Sequence, residues 1–252
     1  VVTKYFLLFL FSLCTASSFA QKEDARNFFR AGKDLFSFSS RLDNKDFNNF
    51  AAVTAATGIG FILDEPVKTF TQNNKTRFLN NLAEMDRYYH IETISIAAIS
   101  LYGYGWLADK SEPRELGLKL TESVVYSMLL NLSVKAVIGR GRPFLEKGCM
   151  SFSPFNFDFE TTSFPSGHTT LAFAFSTVMA AEYDNLLWKT AWFTAAALVG
   201  GARIYHNVHW FSDVIMGAAI GYFVGDFVNN HSTNNKKSET RQLPVLNFKI
   251  AL

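Results

Sequence analysis

The chain has 252 residues, with 24 Lys and Arg against 22 Asp and Glu, a net charge of +2, and 26 Phe. That length suffices for one large helical core, and no basic run of the kind a nucleic-acid surface needs is present. The mean hydropathy of +0.07 is low for a wholly embedded membrane bundle and high for an ordinary soluble domain, so it excludes neither.

Residues 1–20 read as an export signal: Lys4 supplies the positive end, residues 5–13 the apolar core, and Ser18-Phe19-Ala20 a small-x-small cleavage site. An uncleaved first membrane helix is the alternative. Leu13 stands before Cys14, where lipid attachment wants a small residue, which speaks against a lipoprotein. After cleavage Cys149 alone remains, so no internal disulfide is expected.

Residues 21–112 are expected to form a helical region packed on the core. Phe28, Phe29, Ala31, Leu35 and Phe36 predict a short amphipathic helix. The apolar run 51–63 contains Gly58 and Gly60 and falls short of the roughly 20 residues a bilayer requires. Phe78, Leu82, Met85 and Tyr89 recur at helical spacing and predict a surface helix with one buried stripe. Apolar segments at 91–107, 118–138, 169–181, 186–199 and 211–228 follow, free of Pro and bounded by Gly or polar residues. The expected fold is therefore all-α, a helical bundle of five to six core helices with its site at helix ends on one side. Residues 113–229 would be the core, and residues 230–252 a polar, disordered tail with a mildly apolar end at 243–252.

Charged and imidazole groups gather at the ends of these segments. His209 and Asp213 are four apart, one helical turn. An aspartate on one imidazole nitrogen leaves the other free as nucleophile or acceptor. Arg203 offers a fork of donors suited to phosphate. Upstream stand Lys135 and Arg142, two helical turns apart and followed by Pro143, and then Pro165-Ser166-Gly167-His168 immediately before an apolar run. Singly each has a plain structural reading: Lys135 as a snorkelling lysine, Pro-Ser-Gly as a turn and N-cap, either histidine as a packed side chain. Together they suit an anion with several oxygens, and antiparallel helices place all of these ends on one side.

The three stretches, Lys-x6-Arg-Pro from Lys135, Pro-Ser-Gly-His from Pro165 and Arg-x5-His-x3-Asp from Arg203, resemble the signature of the type 2 phosphatidic acid phosphatase superfamily. That superfamily also holds bacterial acid phosphatases and vanadium haloperoxidases. The resemblance implies a phosphatase acting through a phosphohistidine: His209 as nucleophile, Asp213 behind it and His168 as general acid and base. Lys135, Arg142, Arg203, Ser166 and Gly167 would bind the phosphate, with no metal and no cofactor. Ala202 departs from the pattern, since the family usually has Ser before that arginine; one hydrogen bond is lost and the charges are kept.

His90, His206, His231 and Arg140 match no family role and are assigned to surface or packing. Phe152, Phe155, Phe157, Phe159 and Phe164 crowd the loop between the first two motifs, which could be plain packing or could admit an acyl or isoprenoid chain. The expected substrate is a phosphorylated lipid such as phosphatidate or an isoprenoid diphosphate. The expected location is the bacterial envelope, embedded in the membrane with the site facing the periplasm. A soluble periplasmic acid phosphatase is the alternative; a haloperoxidase or a non-catalytic anion-binding membrane protein ranks behind both. The oligomeric state is left open.

Overall fold

The structure, a computed structural model, describes residues 19–37 and 44–242. The proposed signal core and residues 243–252 lie outside the described part. Among the described residues eight α-helices carry the fold: α1 (Phe19–Phe36), α2 (Asn44–Asn73), α3 (Arg77–Ala83), α4 (Ile91–Leu107), α5 (Ser111–Ile138), α6 (Gly167–Ala181), α7 (Leu186–Tyr205) and α8 (Phe211–Gln242). Short 3-10 helices span Glu84–Tyr89 and Pro143–Leu145. Among the described residues there is no strand, only isolated bridges at Arg140–Phe152 and Gly141–Thr162. The all-α expectation holds.

Helix α6 sits at the centre, packed against α5, α7 and α8, while α2 lies along α8 and α4 along α5. Contacts between helix ends fix the directions. The end of α6 meets the start of α5 through Lys119–Glu182 and the start of α7 through the Trp188 indole on the Met179 carbonyl. The far part of α8 reaches the start of α5 through Ser232 and Glu115. At the opposite pole Lys68 of α2 bonds the Pro143 carbonyl at 3.2 Å, and His90 before α4 lies against His168 of α6. The helices alternate in direction, and both α6 and α8 start at the pole where α5 and α7 end.

The core is built from paired small and branched side chains: Ala98, Leu120 and Val178 form one cluster, and Ala172, Ala196 and Val199 another. Where water is the alternative, burying one such Leu or Val side chain contributes roughly 1.5–3 kcal/mol. The tightest crossing is α6 on α8. Gly217, Gly221 and Gly225 recur one turn apart, and a Cβ at these positions would stand 2.6 Å from the Ser166 carbonyl, 2.2 Å from the Thr170 carbonyl and 2.7 Å from Thr177 Cβ. The glycine stripe lets two backbones touch, and its first member brings the start of α8 against the Pro-Ser-Gly-His turn.

Three sequence expectations need correction. The run 51–63 is the middle of a 30-residue helix, α2. Asp64, which closes the apolar run in the sequence, is buried and ion-paired inside the fold, and Pro66 is carried within the helix. The stripe at 78–89 is α3 followed by a 3-10 helix, not one helix. Helix α8 runs on to Gln242 through the polar stretch expected to be disordered.

Candidate active site

Helix α5 delivers the first motif and stops at Gly139. That glycine has φ 59, its N–H bonds the Lys135 carbonyl at 2.9 Å, and a Cβ there would stand 1.8 Å from the Ser153 carbonyl. Glycine is thus required both by the left-handed turn and by the space. Beyond it the chain is pinned to the returning loop by Gly141 N–H on the Ser151 carbonyl (2.8 Å), Ser153 N–H on Gly139 (2.9 Å), Ser163 N–H on Arg140 (2.7 Å) and Arg142 N–H on Thr161 (3.1 Å). The same loop holds the cations. Lys135, buried in the last turn of α5, donates to the carbonyls of Thr162 (3.2 Å) and Ser163 (3.0 Å). Arg142 donates from Nε to Thr162 (3.1 Å) and from Nη2 to Phe159 (3.0 Å). Neutral carbonyls fix the direction of these cations without cancelling their charge.

The second motif turns into α6 at Ser166. Its N–H bonds the Asp213 carbonyl at 3.0 Å, tying the second motif to the third, and its buried hydroxyl lies 2.8 Å from Thr169 Oγ1. Gly167 and His168 open the helix, and the His168 ring stands edge-on to His90 with centroids 4.9 Å apart. His168 is within electrostatic reach of Arg203, His209, His90 and Arg142.

The third motif spans the end of α7 and the start of α8. Asn207, at φ 58, turns the chain between them. His209 is buried, with Nδ1 3.5 Å from Asp213 Oδ2, longer than a hydrogen bond. Asp213 is fully buried; Oδ2 accepts the Trp210 N–H at 2.8 Å and Oδ1 the Arg140 guanidinium at 2.8 Å. Burial, followed by the charges of Lys135, Arg142 and Arg203, pushes the His209 imidazole well below its usual pKa, which favours the neutral ring. Burial and the neighbouring Arg203 likewise lower that of Arg142. The candidate residues from all three motifs therefore meet at one pole. A cavity of about 220 Å³ among Asp24, Arg114, Glu122 and His231 lies at the other pole, away from them.

Residues the sequence reading did not single out complete the cluster. Arg203 is ion-paired through Nη1 with Asp86, from the 3-10 helix before α4. Arg140, assigned above to surface or packing, is fully buried. Its Nη2 meets Asp64 Oδ2 at 2.6 Å, its Nη1 meets Ser212 Oγ at 2.7 Å and Asp213, and Nε and Nη2 share the Cys149 carbonyl. Its guanidinium carbon lies 4.3 Å from the Phe61 ring centroid. The sequence signal was its place two residues before Arg142; its partners, 76 and 73 positions away, carry no local mark.

Residues 116–237 match the model of the PAP2 superfamily. The chain is 38% identical over 108 residues to the lipid A 1-phosphatase of Rhizobium etli, covering 42% of this chain and 46% of that protein. It is 30% identical over 168 residues to the lipid A 1-phosphatase of Porphyromonas gingivalis, covering 63% of this chain and 34% of that one. The chain thus spans half or less of the length of these two curated relatives. Among solved structures, Aquifex aeolicus LpxE shares the fold with a TM-score of 0.52 at 22% identity, over 67% of this chain and 95% of that one. By its three motifs, its helical fold and these likenesses, the chain carries at residues 116–237 a segment that matches the PAP2 superfamily.

Proposed function

We propose that the protein is a metal-independent phosphatase that cleaves a lipid phosphate through a phosphohistidine. The observation that carries this reading is the buried His209, which stands beside Asp213 and within electrostatic reach of Lys135, Arg142 and Arg203. With Nδ1 turned toward Asp213, Nε2 is the nitrogen that attacks phosphorus. The bond to the leaving oxygen breaks as His168 gives that oxygen a proton. In the second step His168 takes a proton from water, the water oxygen bonds phosphorus, and the P–N bond breaks to release phosphate and restore His209. Lys135, Arg142 and Arg203 face the charge on the equatorial oxygens; Arg142 Nη1 and Arg203 Nε are among the donors without a partner in the described residues. Ser166 and the Gly167 N–H, at the start of α6, border the same anion position.

The names of the relatives, lipid A 1-phosphatases, support a lipid substrate. So does the surface beside the site, where Met150, Phe155 and Phe157 are each about 70% exposed. Embedding in a membrane is supported by two long apolar stretches, Phe47–Asn73 and Phe211–Ser232, and by the outward Phe47, Phe50, Ile59, Ile62 and Phe70 of α2. With α2 crossing, six helices traverse the bundle, and α2 begins at the pole opposite the site. A periplasmic site then needs Asn44 on the cytoplasmic side, which is incompatible with cleavage of residues 1–20 as an export signal. A soluble exported enzyme is the second reading. It is favoured by α1, whose exposed Lys22, Arg26, Arg30 and Lys33 flank the Phe28 and Ala31 face packed on α5.

One experiment tests the function: phosphate release from phosphatidate, isoprenoid diphosphate, a lipid A-type phosphate and p-nitrophenyl phosphate, with and without chelator. Release from a lipid, unchanged by chelation and absent in His209→Ala, is expected. Loss on chelation would refute the metal-free mechanism, and full activity in His209→Ala would refute the nucleophile. Pelleting after an alkaline wash separates the embedded enzyme from the soluble one.

A further inference from the structure

We infer that Arg140 and Asp64 are positioning residues for the nucleophile: Asp64 holds Arg140, and Arg140 sets the carboxylate of Asp213 behind His209. The inference rests on the phosphatase reading for its effect on turnover, and on geometry for everything else. Asp213 has two oxygens and two fixed donors. Arg140 Nη1 takes Oδ1 at 2.8 Å and the Trp210 N–H takes Oδ2 at 2.8 Å, so the plane of the carboxylate cannot rotate, and Oδ2 is the oxygen left toward His209 Nδ1. Arg140 is itself fixed by Asp64, by the Cys149 carbonyl and by packing against the Phe61 and Trp210 rings. Ser212 locks the pair from below: its N–H bonds Asp64 Oδ1 at 2.8 Å and its hydroxyl lies 2.7 Å from Asp64 Oδ2 and 2.7 Å from Arg140 Nη1.

Asp64, Arg140, Ser212 and Asp213 are fully buried, where one guanidinium shared by two carboxylates carries a large desolvation cost for each ion. A core needing only stability would be served as well by apolar side chains of similar volume. The chain instead spends a residue of α2, outside the 116–237 match, to reach the third motif. Groups that orient a metal ligand from behind typically change affinity or activity about 10–100-fold when removed, and an effect of that size is expected for groups that orient Asp213 behind His209.

The test is a double-mutant cycle on the full chain, reading kcat and KM on p-nitrophenyl phosphate and, separately, the rise in Tm on adding vanadate. Asp64→Asn keeps an oxygen for the Ser212 N–H but has no charge for Arg140. It is expected to lower kcat about 10–100-fold with KM within about twofold, and to reduce the vanadate-induced Tm rise. In an Asp213→Asn background the same change is expected to cost less than about twofold, because the route to His209 is already cut. Should Asp64→Asn not fold, Arg140→Lys serves in the same cycle, since one ammonium keeps the charge but cannot bridge two carboxylates as the planar fork does. Wild-type kcat in the single variant, or losses that multiply in the double variant, would overturn the inference. A wild-type chain that binds vanadate but releases no phosphate would refute the enzyme reading alone; the vanadate arm of the cycle would still decide the positioning.

Discussion

Asp86 and Arg203 form an ion pair in which the guanidinium uses Nη1 and keeps Nε buried without a partner. A phosphate arriving beside Arg203 therefore meets an arginine that is already oriented, and shares it with a carboxylate rather than displacing water from it. Breaking a buried pair at one end leaves a charge uncompensated, at a cost of about 3–5 kcal/mol, less where solvent reaches in. In Asp86→Asn that stranded charge lies beside Arg142, which already feels Arg203. The variant is expected to have a lower Tm than wild type and a larger Tm rise on adding vanadate, because the anion supplies the missing negative charge. Thermal unfolding with and without vanadate checks this; an equal or smaller rise would mean that Asp86 does not compete for Arg203.

The two histidines should separate by leaving group. In the proposed mechanism His209→Ala removes the atom that would bond phosphorus, and activity on every substrate is expected to fall by at least about 10³-fold. His168→Ala removes a proton donor, whose contribution is typically about 10²–10⁴-fold. The first step with p-nitrophenyl phosphate needs little proton donation, so it should survive while water attack slows. Acid-quenched labelling should then show phosphoenzyme accumulating in His168→Ala and none in His209→Ala. A labelled His209→Ala protein would place the nucleophile elsewhere.

Much of this site was readable before any coordinates, because each motif is local. Lys135 to Arg142, Ser166 to His168 and Arg203 to Asp213 are each short enough that helix geometry and one turn fix their internal layout. The bundle was readable from apolar runs with polar ends. What failed was long-range. Asp64 looks like the end of a short apolar run because its partner, Arg140, lies 76 positions on; once paired, it permits α2 to continue to Asn73. Arg140 looks like a surface residue for the converse reason. Asp86 sits in a polar stretch whose spacing announces a helix face and says nothing of Arg203, 117 positions away. Buried ion pairs between distant elements leave no periodic trace.

Stability should depend on pH through His209. Its folded pKa is pushed well below 6.5 by burial first and then by three cations. Below about pH 6.5 the unfolded chain takes up a proton there that the folded chain refuses, and stability rises with pH wherever the unfolded state binds more protons. Stability is thus expected to fall as pH drops below 6.5, and the fall to persist until the depressed folded value is reached. His209→Gln should lose that part of the slope. Denaturant midpoints of both proteins between pH 7.5 and 5 provide the comparison, and parallel curves would contradict a neutral, buried His209. In the proposed mechanism the same depression would favour an unprotonated nucleophile at neutral pH.

The aromatic loop beside the site yields the sharpest contrast between substrates. Phe155 and Phe157 are each 71% exposed, and Phe155 is held at φ 60, a left-handed conformation unfavourable for a bulky side chain. The loop is not loose: it is pinned to residues 139–142 by the backbone bonds that also aim Lys135 and Arg142. Two exposed rings on a fixed loop at the phosphate end suit contact with lipid chains, each worth roughly 1.5–3 kcal/mol if wholly buried. Partial burial of both rings would still supply about 1.4 kcal/mol, a factor of ten. The double substitution Phe155→Ser and Phe157→Ser is therefore expected to lower kcat/KM on phosphatidate in mixed micelles about tenfold. With p-nitrophenyl phosphate the rate should stay within about twofold, since the charged groups and their backbone anchors are untouched. An equal loss on both substrates would show that the rings support the fold of the loop, and no loss on either would show that the lipid approaches from another side.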